Sequence, residues 1–255
     1  MASRRWIGWV TGCFCVGLAI WAWGQRPADT GTGPRAGGGS KTRKPQISDT
    51  IRANIYADNW FSLYVNGELV AVDSIQFIPH NVISVDLLPS YPMTIAVMAR
   101  DNADSKTGME YANSQIGDGG FILKFADGTV TNGEWKAKRV SWGPVDRDTA
   151  NPRVESLPIP QNWFAVDFDD RDWPTAKEYS EEQVGPKQPY FDHDFQGAKF
   201  IWSDDVELDN TVLFRHRVTT PPDGKGRPDF SNLNNVIPDS PPKGGPSGRG
   251  PKKKG

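Results

Sequence analysis

Trp60-Phe61-Ser62-Leu63-Tyr64-Val65-Asn66-Gly67-Glu68-Leu69-Val70-Ala71-Val72 is the stretch that decides the fold. Two apolar-rich runs, Trp60–Val65 and Glu68–Val72, are separated only by Asn66-Gly67. That dipeptide accepts positive φ at both positions and suits a type I′ hairpin turn. The arrangement returns downstream, where runs 121–126 and 129–132 flank Asp127-Gly128. Upstream, Ile51, Ala53 and Ile55 alternate with Arg52, Asn54 and Tyr56, and further strand-like runs cover 81–88, 93–99, 135–140 and 211–218. Strands that alternate in this way need a second sheet to cover their apolar side. The expectation is an all-β fold, a two-sheet antiparallel jelly-roll sandwich. The best helix candidate is 174–183, with Asp172 as its cap and Glu181-Glu182 inside it.

The two ends read differently. Arg4-Arg5, the uncharged and mostly apolar run 6–23 and the small residues around Gly24 read as an export signal over 1–24. A retained N-terminal anchor is the alternative, because an apolar run of 18 residues is near the lower limit for a bilayer span. Residues 25–44 are rich in Gly, Thr, Pro and basic side chains, a flexible linker that cannot bury enough surface to fold. Residues 221–255 form a Pro/Gly/Lys-rich tail expected to be disordered, although Phe230, Leu233, Val236 and Ile237 could dock part of it on the core. The folded sandwich is thereby placed at 45–220.

Both cysteines, Cys13 and Cys15, fall inside the leader, so a chain beginning at Gln25 has no thiol chemistry and no disulfide. It keeps 27 bases against 31 acids, a net charge of −4, which argues against nucleic acid as a partner of the folded part. Export implies a secreted or periplasmic protein with no membrane contact once the signal is cleaved.

Residues 57–67, Ala-Asp-Asn-Trp-Phe-Ser-Leu-Tyr-Val-Asn-Gly, resemble the hairpin of galactose-binding-like jelly-roll modules. Such modules accompany bacterial α-L-rhamnosidases and β-galactosidases. Gly119-Gly120-Phe121-Ile122-Leu123, Phe168-Asp169-Asp170-Arg171-Asp172-Trp173, Phe200-Ile201-Trp202 and Leu213-Phe214-Arg215 extend the resemblance over about 51–218. It implies an exported glycan-binding or purely structural module. The resemblance does not extend to the family's large catalytic barrel, and the Trp-Arg-Phe strands come last instead of early.

No catalytic constellation stands out. The histidines His80, His193 and His216 are isolated in sequence, and His216, between Arg215 and Arg217, reads as solvent-facing. Asp192-His193-Asp194 reads as a polar loop or a metal ligand set. Acid clusters are the better lead. Asp167, Asp169, Asp170 and Asp172 crowd six positions and form the first candidate for a structural Ca2+, with capped turns as the competing explanation. The run Asp204, Asp205, Glu207, Asp209 and the segment Asp101-Asn102-Ala103-Asp104 are further candidates.

Six tryptophans follow the leader. Trp60, Trp135 and Trp202 fall on expected strands, and Trp142, Trp163 and Trp173 on expected loops, where they could stack on a sugar or cover a sandwich edge. Long loops on a rigid sandwich are where binding residues sit. The expected ligand site is therefore Tyr111 or Trp142 as the stacking surface, with Asn113 and Asp118 orienting a carbohydrate or another extracellular surface ligand. The competing readings are a small glycan-acting hydrolase using paired carboxylates and a structural protein of the cell envelope.

Overall fold

The structure is a computed structural model that describes residues 42–75, 81–230 and 236–237. The expected leader at 1–24, nearly all of the linker and most of the tail lie outside the described residues. In chain order the strands are β1 (Thr42–Arg43), β2 (Ile51–Asp58), β3 (Trp60–Val65), β4 (Glu68–Val72), β5 (Val82–Leu87), β6 (Met93–Arg100), β7 (Met109–Glu110), β8 (Gln115–Ile116), β9 (Gly120–Phe125), β10 (Lys136–Trp142), β11 (Glu155–Ser156), β12 (Lys177–Tyr179), β13 (Phe200–Trp202), β14 (Asp209–Val218) and β15 (Val236–Ile237). One short helix, α1, spans Glu181–Val184.

Two antiparallel sheets form a sandwich, as the alternation requires. One has six strands in the order β11-β10-β14-β6-β3-β4, the other five in the order β12-β13-β9-β2-β5. Because successive side chains of a strand point to opposite faces, Ile51, Ala53, Ile55 and Ala57 of β2 enter the core while Tyr56 leaves it. Met93, Ile95, Val97 and Ala99 of β6 and Phe121, Leu123 and Phe125 of β9 follow the same rule. Phe121 of one sheet stacks on Phe214 of the other with ring centroids 5.4 Å apart. Truncating a buried ring of this kind to Ala typically costs about 3–5 kcal/mol.

The Asn66-Gly67 turn forms as read, with φ of 50° and 85° and Val65 paired to Glu68. The second hairpin is shorter than expected. Beyond Asp127-Gly128 the returning arm makes a single bridge, Lys124 to Val130. Asp127 is fully buried, accepting from Thr129 N–H at 2.9 Å and from the Tyr91 hydroxyl, and Phe125 N–H to the Thr129 carbonyl and Thr131 N–H to the Leu123 carbonyl hold the short returning arm.

Both outer faces are covered as well. Loop residues Trp163 and Trp173 pack on Ala96, Val140 and Leu213 outside the six-stranded sheet. They cover a sheet face and do not stand free in solvent. Val184, Tyr190 and Phe195 pack on Tyr56, Ile122 and Phe200 outside the five-stranded sheet. Arg215, outward-facing on β14 yet 3% exposed, ties the first cover down: its Nε donates to Asp170 Oδ2 at 2.7 Å and its Nη1 to the Trp163 carbonyl.

The expected helix at 174–183 is corrected. Lys177–Tyr179 pairs with Phe200–Trp202 as an edge strand, and the helix starts only at Glu181. Ser180 is its cap: the Ser180 side chain accepts from Gln183 N–H, and the Gln183 side chain accepts from Ser180 N–H. Between Asp172 and Ser180 the chain is taken up by the burial of Trp173 in the sheet cover, the Thr175–Lys136 bridge and the edge strand. His216 is corrected too, since its ring stacks on Trp135 at 5.1 Å. Among the expected tail residues, Phe230 is buried with Arg43 over its ring, so the described part of that segment does dock. Among the described residues no helix is long and apolar enough to cross a membrane.

Candidate functional site

At one end of the sandwich β2 hands over to β3 and β6 leaves its sheet. Asn59 N–H donates to the Arg100 carbonyl at 2.8 Å and Asp101 N–H to the Asn210 carbonyl at 3.0 Å, fixing both strand ends. Four acids converge there from separate elements: Asp58 closes β2, Asp101 follows β6, Glu110 closes β7, and Asp118 precedes β9. Asp58, Asp101 and Glu110 are each 2% exposed, whereas Asp118 reaches solvent. Asp101, Glu110 and Asp118 each offer a carboxylate oxygen within 4.8 Å of the others.

The backbone around these acids is arranged by amides. Asn102 N–H donates to Asn59 Oδ1 at 2.6 Å and to Asp101 Oδ1 at 2.7 Å, and Asn59 Nδ2 donates to Asp58 Oδ1 at 2.6 Å. Asp101 Oδ2 and Glu110 Oε1 are buried and accept from no N–H or hydroxyl group, the two carboxyls facing each other. A side chain at 117 would displace this arrangement, because a Cβ on Gly117 would lie 1.8 Å from Asp101 Oδ2.

Burial and mutual repulsion raise the proton affinity of the group. Asp58 is pushed up to about 8, first by burial and then by the charges of Asp118 and Glu110, with Lys187 acting against them. Asp101 is held well above the usual carboxylate range by burial and by the facing Glu110 carboxyl. Glu110 is raised chiefly by burial. Such a set can share protons or surround a cation.

Beside the acids lies an open groove of about 550 Å³ lined by Arg100, Asn102, Asp104, Ser105, Tyr111 and Asn113 among others. Tyr111, Ala112 and Asn113 make three successive left-handed residues, with φ of 45°, 56° and 66°. This conformation is costly for residues with a Cβ. The β7–β8 hairpin holds it through Ser114 N–H to the Glu110 carbonyl at 3.0 Å and Ser114 Oγ to the Tyr111 carbonyl at 2.9 Å. The turn leaves the Tyr111 side chain 56% exposed. Asn113 Oδ1 accepts from Thr107 Oγ1 at 2.6 Å, which fixes its amide beside the groove.

The residues singled out from sequence fall in three places. Tyr111 and Asn113 line the groove, and Asp118 belongs to the acidic centre next to it. Trp142, expected in a loop, is the last residue of β10 and lies under the Arg139 guanidinium at 3.9 Å, because β10 runs on to pair with Asp209 and Glu155. It does not line the groove.

The expected calcium cradle does not converge either. Asp169 is engaged by Arg171 and Asp170 by Arg215, and among the described residues Asp167, Asp169, Asp170 and Asp172 form no set of three converging ligands. The acids at 204–209 are likewise used by the fold: Asp205 and Glu207 pair with Arg147, Asp204 with Lys177, and Asp209 with Arg139 and Ser203. His193 Nδ1 sits 2.9 Å from the Pro189 carbonyl and Asp194 pairs with Lys124, so the Asp192-His193-Asp194 segment is a bonded loop.

The sequence reading placed Asp101 in a lesser acidic segment and did not bring Glu110 and Asp118 together with it, as the structure does. A usable signal lay in Asp101, Glu110 and Asp118 recurring at intervals of nine and eight residues around a turn and glycines. No protein-family model, no curated protein and no solved structure matches this chain.

Proposed function

We propose that this chain is an exported, non-catalytic recognition module of galactose-binding-like type, with the groove beside Tyr111 as its carbohydrate site. The observation that carries the reading is Tyr111 itself, more than half exposed on a left-handed turn that is bonded from both sides. A rigidly held aromatic face beside Asn, Asp, Ser and Arg side chains is the chemistry that binds a sugar, the ring on its apolar face and the polar groups on its hydroxyls. The sandwich and the motif resemblance support the same reading at the level of fold, where one architecture hosts many roles.

A hydrolase acting through paired carboxylates is the second reading, favoured by the proton affinity of Asp58, a familiar property of catalytic acids. Against it, Asp58, Asp101 and Glu110 are almost wholly buried, and none of them lines the groove.

The full chain applied to a glycan array, followed by calorimetry on the strongest binder, tests both readings. Saturable binding without turnover is expected, and Tyr111→Ala should weaken it by about 1–3 kcal/mol, the scale of a lost aromatic anchor, with the melting temperature unchanged. Normal binding by that variant would remove the proposed site. Hydrolysis of the glycan would favour the enzyme.

A further inference from the structure

We propose that Asp101, Glu110 and Asp118 bind one calcium ion that clamps the end of β6, the β7–β8 hairpin and the segment entering β9. The inference stands on the carboxylates alone and does not depend on the groove taking a sugar.

Two side chains that are 98% buried carry the argument. Asp101 Oδ1 is satisfied by Asn102 N–H at 2.7 Å, but no N–H or hydroxyl group reaches its Oδ2 or Glu110 Oε1, and the two carboxyls face each other. Buried oxygens of native proteins are normally bonded, so each exception calls for a missing partner. The two oxygens belong to a set of three carboxylates with ligand atoms within 4.8 Å of one another. A cation at their centre supplies the missing partner to both at once and cancels the repulsion among them.

The donor set selects the ion. Carboxylate oxygens alone suit a hard cation. Calcium holds its ligands at about 2.3–2.6 Å and tolerates irregular geometry, so ligands on opposite sides stand roughly 5 Å apart. Magnesium demands near-ideal octahedral geometry and dehydrates reluctantly, so a cradle with two carboxylates that are 2% exposed suits it less. Asp118, which reaches solvent, provides the way in and leaves room for water to complete the shell. Gly117 keeps the cradle open, because a Cβ there would fall 1.8 Å from Asp101 Oδ2.

The clamp has a structural consequence. Glu110 immediately precedes the left-handed turn that carries Tyr111, so the ion braces that turn from its first residue.

The test uses the full chain, freed of metal with chelator and exchanged into buffer at pH 7.5. Calorimetric titration with CaCl2 should give a saturable one-site heat, and the melting temperature should rise with calcium because the native state alone binds it. Asp118→Asn and Glu110→Gln should bind at least tenfold more weakly. Asp118→Asn changes an exposed carboxyl and keeps the test valid if the buried substitution impairs folding. MgCl2 should bind at least tenfold more weakly than CaCl2. The proposal is overturned if the wild-type chain gives neither heat nor a melting shift at millimolar calcium, or if folded Asp118→Asn binds within twofold of wild type. Equal affinity for magnesium would overturn the assignment of the ion.

Discussion

Single residues carry the electrostatic logic of this molecule. Trp135 lies flat against His216, with an interplanar angle of 9°, and burial lowers the proton affinity of the imidazole while Glu134 acts weakly against that shift. A histidine held neutral in the folded state adds stability above its unfolded value of about 6.5 and loses it as pH falls, because the unfolded chain then binds the proton more readily. His216→Phe keeps a ring on Trp135 and removes the titration. Between pH 7.5 and pH 5 the wild-type melting temperature should fall further than that of the variant, and melts followed by circular dichroism at the two pH values check it. The comparison is made between proteins because Asp58, Asp101 and Glu110 shift stability the opposite way over the same range, being raised instead of lowered. From sequence His216 read as solvent-facing, since its neighbours Arg215 and Arg217 are cations. The sequence does not reveal that Arg215 is itself buried, bonded to Asp170 across 45 positions.

That same pair governs an element. The segment from Trp163 to Trp173 has no strand or helix of its own and lies over β6, β10 and β14, held by its aromatic side chains and by Arg215. Removing the guanidinium leaves Asp170 without its partner and the Trp163 carbonyl without a donor. Asp170 is 29% exposed, which softens the penalty. Arg215→Met should cost about 2 kcal/mol, below the roughly 3–5 kcal/mol of a fully buried pair, read by urea unfolding. Limited proteolysis should then cut within 163–173 first. The elements divide instructively between what was legible and what was not. Asn66-Gly67 was legible because two positive φ values are a local requirement met by two adjacent residues. The helix expected from Asp172 was misplaced because Asp, Pro and paired Glu are local start signals, whereas the burial of Trp173 and the pairing of Lys177–Tyr179 with Phe200–Trp202 are long-range facts.

At the scale of the whole molecule, period-two alternation made the sandwich readable, since a strand with one apolar face must meet another. The site was only partly readable. Asp167, Asp169, Asp170 and Asp172 attracted attention because acids crowded in sequence are visible there, yet Arg171 and Arg215 draw two of them apart. Asp101, Glu110 and Asp118 are spread over 18 positions and meet because the β7–β8 hairpin folds back against the ends of β6 and β9. Of the residues expected to bind a ligand, Tyr111 and Asn113 line the groove and Trp142 does not, because β10 extends two residues beyond the expected strand.

Recognition by the proposed site is confined to this end of the sandwich. An amide-resolved NMR titration of the full chain with the strongest glycan binder localises it directly. Saturable shift changes are expected at residues 100–105 and 109–113, with the Asn66-Gly67 turn unaffected. Shifts centred elsewhere on the sandwich, or none at saturating glycan, would contradict it.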